Sequence, residues 1–125
     1  MVKSIIYTLS AIALCIGFFI WSHIFITNQF KDVHAALETL YDKTEQQTAT
    51  REDAYAIKDL WDDKKRKLHV FIPHNDISYV DYWLNEACAF LYKGHYDLAL
   101  SNVEVLLEIT RALPDAYSLN LENIF

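Results

Sequence analysis

The chain has 125 residues, with 17 Asp and Glu against 11 Lys and Arg, for a formal net charge of −6. That balance is no electrostatic match for nucleic acid, and two Gly and two Pro are too few turn formers for an all-β fold. Cys15 and Cys88 fall in an apolar run and in a predicted helix, so they supply no disulfide framework.

Ser4–Phe30 contains no Asp, Glu, Lys or Arg and is dominated by Ile, Leu, Ala and Phe. An α-helix needs about 20 apolar residues to cross roughly 30 Å of hydrocarbon. The segment therefore reads as a transmembrane anchor over residues 1–30, followed by a helical domain over 31–125. A cleaved signal peptide would need a small-x-small site after its apolar core. Phe18, Phe19, Ile20 and Trp21 stand there instead. Leu14 before Cys15 also lacks the small side chain that a lipoprotein site wants. Tyr7 and Trp21 suit membrane interfaces, and His23 is expected near the headgroups. Lys3 marks one side and Lys31 and Lys43 the other. The expected topology is a single-pass anchor in the cell membrane with the bundle outside the cytoplasm.

Phe30, Val33, Leu37, Leu40 and Tyr41 continue at helical spacing with no breaker, which predicts one helix from about Ser4 to Gln47. Thr50, with Asp53 three residues on, predicts a capped second helix. Its apolar side carries Ala54, Ile57, Trp61, Leu68, Phe71 and Ile72, and Pro73 is expected to end it. Asn75 or Asp76 is expected to cap a third helix. Ile77, Val80, Leu84, Ala87, Cys88 and Leu91 line one face of it, with Tyr79, Trp83 and Phe90 beside them. Gly94 suits the residue just past its C-terminus. A fourth helix from near Asp97 is expected to bury Leu98, Ala99, Val103, Leu106, Leu107 and Leu113, with Pro114 interrupting it. A short last helix and an apolar end are expected over Asp115–Phe125. The fold class is thus all-α: an N-terminal transmembrane helix continuing into an antiparallel bundle of about four helices. Leu91–Leu100 resembles one tetratricopeptide-type hairpin turn, but an array needs about three such units.

Candidate chemistry is sparse. His69, His74 and His95 lack the spacing of a zinc site, and helix-end histidines commonly serve the last carbonyls. Asp62–Asp63 and Glu104–Glu108 read as solvated acids, and Cys88 as an inert core thiol. No enzyme activity, cofactor or metal is expected. Lys64-Lys65-Arg66-Lys67 is the sharpest charge feature; its first reading is a solvated helix face balanced by Asp62 and Asp63, and geometry supplies a functional alternative. If the second helix returns antiparallel to the first, this run lies within about a Debye length, roughly 10 Å, of the headgroups and contacts anionic lipid. The same up-and-down course brings Asn123, Ile124 and Phe125 back to the membrane side, as a lipid or partner contact.

Together, the N-terminal span, Trp61, Lys64–Leu68, Phe71-Ile72-x-His74-Asn75-x-Ile77, Gly94 and Leu121-Glu122-Asn123-Ile124-Phe125 resemble an uncharacterised family of small, membrane-anchored helical proteins from clostridial-type bacteria. It is a domain-of-unknown-function family. The resemblance implies an anchored accessory protein partnering a larger membrane protein, and it transfers no site. The expected function is a membrane-tethered interaction module whose partners are the bilayer and another membrane or envelope protein. The alternative is a ligand sensor or small enzyme with a site between helices near His74, Tyr79 and His95.

Overall fold

A computed structural model of the chain describes residues Met1–Tyr117, which fold into four α-helices with no strand among the described residues. They are α1 (Val2–Glu45), α2 (Arg51–Leu68), α3 (His74–Tyr92) and α4 (Tyr96–Ala116). Each helix runs antiparallel to the next, and α4 closes the ring by packing on both α3 and α1. This is the all-α bundle expected, with the apolar N-terminal helix built into it.

Local chemistry sets three of the helix ends. Thr50 and Asp53 form a complete capping box at the start of α2: the Asp53 N–H donates to Thr50 Oγ1, and the Thr50 N–H donates to Asp53 Oδ2 at 2.9 Å. This satisfies two N–H groups that would otherwise lack partners. Gly94 follows α3 at φ 73°. Its N–H donates to the Leu91 carbonyl and that of His95 to the Phe90 carbonyl, the two bonds of a Schellman end. The His95 ring rests edge-on against Phe90, supplying the apolar contact that accompanies such ends. Gln47 does the same for α1 at φ 59°, with Thr48 N–H donating to Lys43 and Gln47 N–H to Thr44.

Several boundaries and faces differ from expectation. The second helix stops at Leu68 rather than at Pro73, and residues 69–73 form a connecting loop; the restriction that a proline places on the residue before it reaches Ile72 alone. The third helix begins at His74 with Pro73 preceding it and no side-chain cap, so neither Asn75 nor Asp76 caps it. Pro114 does not interrupt α4, which continues to Ala116. Pro114 lacks the N–H that would donate to the Thr110 carbonyl, so the last turn gives up one helical bond and still goes on. Leu98 is exposed, not buried. The inward stripe of α4 is Ala99, Asn102, Val103, Leu106, Thr110 and Pro114, and Leu98 lies one residue off that stripe.

The core joins Phe30, Leu37, Trp61, Leu68, Ile77, Leu84, Val103 and Leu106. Leu107 is half-buried at its margin, whereas Trp61 and Leu84 are fully inside. Ile26 and Phe30, in the stretch assigned to the anchor, are 4% and 1% exposed. The bundle therefore starts about one helical turn earlier on the chain than residue 31.

Candidate membrane-facing site

α1 is much longer than the other helices, and its first half stands clear of them. Ile5, Leu9, Ile12, Phe19, Ile20 and Ile24 are exposed there, as apolar side chains on every side of a helix suited to a membrane rather than to water. By length and composition this helix is able to cross a bilayer.

Where the shaft meets the bundle, aromatic side chains gather. Phe18, Trp21 and Phe25 follow each other at spacings of three and four, which puts them on one face of α1. Trp21 and Phe25 stack at 5.5 Å between ring centroids. Phe71, from the α2–α3 loop, lies against all three, at 6.5 Å from Phe18, 6.0 Å from Trp21 and 5.6 Å from Phe25. Ile72 beside it is buried in the core, while Val70 is 82% exposed. His69 and His74 flank this tip with their rings parallel at 5.9 Å, and His74 Nε2 is 3.2 Å from Ser78 Oγ.

The basic run lies directly above. Lys64 Nζ reaches Asp32 on α1 at 2.8 Å, and Asp32 is two residues from Phe30, so the run sits at the level that the antiparallel return requires. The hydrogen bond and charge of Lys64 hold the Asp32 carboxyl below its ordinary range. Lys65 pairs with Asp62 at 3.2 Å and with Asp81 on α3 at 3.3 Å. Desolvation opposes its charge, yet the two carboxylates hold its pKa above the ordinary lysine value. Asp81 also accepts a 2.6 Å hydrogen bond from Trp61 Nε1. Lys64 and Lys65 thus have their charge compensated by acids on neighbouring helices, which leaves them poorly placed for headgroups. Among the described residues Arg66 and Lys67 form ion pairs with Asp63 on their own helix, with side chains 76% and 49% exposed. They are the members of the run that face outward.

The other candidates fall apart or turn out structural. His74 opens α3 and His95 lies beyond its end, about 30 Å apart at 1.5 Å per residue, so no single pocket holds both with Tyr79. No group of three metal-ligating side chains occurs among the described residues. Glu104 accepts from the Tyr41 hydroxyl, and Glu108 is bound by Arg111. Cys88 is buried, and burial pushes its thiol up to about 11, far from a nucleophile. Asn123, Ile124 and Phe125 lie outside the described residues. α4 ends at the same end of the bundle as the α2–α3 loop, where Pro114 borders a groove shared with Thr27 and Phe30 and the Tyr117 hydroxyl donates to Asp76.

Two features were missed in the sequence. The aromatic collar was visible in part as the Phe18–Trp21–Phe25 stripe, but nothing local pointed to Phe71 as its fourth member. Asp62 and Asp63 stood beside the basic run in the sequence, but Asp32 and Asp81, which pair with Lys64 and Lys65, carried no local signal because they belong to other helices.

No curated protein and no solved structure matches the chain. The sequence profile of the family described as domain of unknown function (DUF4363) matches residues 20–124. Its start coincides with the point where α1 enters the aromatic collar, and the chain belongs to that family.

Proposed function

We propose that this protein is a membrane-tethered helical module without catalytic activity, which holds its bundle on the bilayer surface to engage another membrane or envelope protein. The observation that carries the reading is the bare first half of α1, uncharged from Ser4 onward, whose apolar side chains no other helix covers. A shaft of this kind in water would expose far more contiguous apolar surface than soluble proteins tolerate. The outer face of α3 supports the partner-binding half of the reading. Tyr79 and Tyr82 are exposed there and pack edge-on against Trp83, and such aromatics are enriched where proteins meet. Any lipid-headgroup contact of the basic run narrows to Arg66 and Lys67.

Two measurements test this. The full chain should stay with the membrane pellet after alkaline carbonate extraction, with an intact mass that still includes Met1–Phe30. Release into the supernatant, or a mature N-terminus beyond residue 20, would refute the anchor. A photo-crosslinker in place of Tyr82 should yield one recurrent protein adduct from native membranes. Adducts to lipid alone would sink the interaction role.

A further inference from the structure

We propose that the α2–α3 loop is a second membrane contact, with Val70 and Phe71 inserted into the apolar edge of the leaflet from which α1 emerges. The inference rests on the reading of α1 as a membrane span, and the length of that span leads to it. Lys3 fixes the far end. From Ser4, about 20 residues at 1.5 Å each are needed to cross roughly 30 Å of hydrocarbon, which carries the apolar layer to about His23. Phe71 packs on Phe18 and Trp21, inside that stretch. A layer that stopped below Phe71 would leave only Ser4–Gly17, roughly 21 Å of helix. Tilting α1 would lengthen the segment required, and thinning the bilayer costs a fraction of a kcal/mol for each Å.

The loop is built for such a position. Its tip is apolar: Val70 is 82% exposed, and Phe71 continues the aromatic collar. Ile72 is buried beneath it and ties the tip to the core. The Phe71 and Ile72 N–H groups both donate to the Leu68 carbonyl, which reduces the number of backbone groups that hydrocarbon would leave unsatisfied. Imidazoles and cations stand on the shoulders, at His69, His74, Lys67 and Arg66. An apolar tip below a basic rim is the pattern of segments that enter a membrane interface to a depth of about 5–10 Å. Long basic side chains beside it can keep their charges at headgroup level.

Nitroxide depth measurements on the full chain in phosphatidylcholine vesicles test this. The background is Cys15→Ala, with Cys88 shielded by burial. Single labels are placed through Val70→Cys, Ile12→Cys and Thr48→Cys. Residue 12 reports mid-span, and residue 48 reports the far end of the bundle. The expected result is that dissolved oxygen relaxes the labels at 70 and 12 more than an aqueous nickel complex does, with the order reversed at 48. If residue 12 is deep while residue 70 behaves like 48, the loop insertion is overturned and the anchor stands. If residue 12 is aqueous as well, the anchor reading falls, and the insertion with it.

Discussion

Replacing Asp81 with Ala should destabilise the bundle by about 2 kcal/mol. The Asp81 carboxylate bridges two elements: it accepts from Trp61 Nε1 at 2.6 Å and from Lys65 Nζ at 3.3 Å. A hydrogen bond to a charged group contributes about 1.5–3 kcal/mol, and stranding a buried donor costs about 1–3 kcal/mol. Trp61 is 1% exposed, so its indole N–H cannot turn to bulk water without disturbing the core. Two features keep the cost below the top of that range. The Asp81 side chain is 31% exposed, which admits water to the vacated site, and Lys65 keeps Asp62 at 3.2 Å. For a domain of this size about 1 kcal/mol shifts Tm by 4–8 °C, so Asp81→Ala should lower it by roughly 8–16 °C. The assay is thermal unfolding of the full chain in detergent, followed by near-ultraviolet circular dichroism, which reports the packing of the aromatic side chains together, Trp61 among them. Asp81→Asn retains an acceptor and should lose about half as much. An Asp81→Ala chain that melts with the unaltered protein would refute the claim that this bridge closes the α2–α3 interface.

Three further outcomes are expected. Leu84→Ala should cost about 2–5 kcal/mol, the usual range for a core leucine truncation, measured in the same melt. Gly94→Ala should destabilise by about 1–2 kcal/mol, because an L side chain is strained in the left-handed region, whereas Gln47→Gly should stabilise by roughly 0.5–1 kcal/mol by relieving that strain at φ 59°. The hydrogen bond to Asp76 pushes the Tyr117 phenol up to about 12, above its ordinary value near 10. A raised folded-state pKa contributes stability that is full below about pH 10 and lost as pH climbs through 12. Denaturant melts should weaken across that window in the unaltered protein, and the part due to this group should vanish in Tyr117→Phe.

The sequence by itself determined which segments are helical and where the apolar shaft lies. Helical periodicity, the Thr50–Asp53 capping box and the Gly94 end are properties of a few neighbouring residues. The uncharged run from Ser4 is likewise a statement about transfer free energy within one segment. An antiparallel return was the expected course of the chain, and similar helix lengths then placed the basic run near the level of Phe30. Only the tertiary structure decided how that run is divided, with Ile26 and Phe30 taken into the bundle and the residues before Phe18 left bare. It also decided that Asp32 and Asp81 neutralise Lys64 and Lys65, and that Phe71 lies against Phe18, Trp21 and Phe25. Such pairings depend on the rotation and axial offset of one helix against another. Those are fixed by the packing of the whole core, and they leave no mark on the local pattern of any single helix.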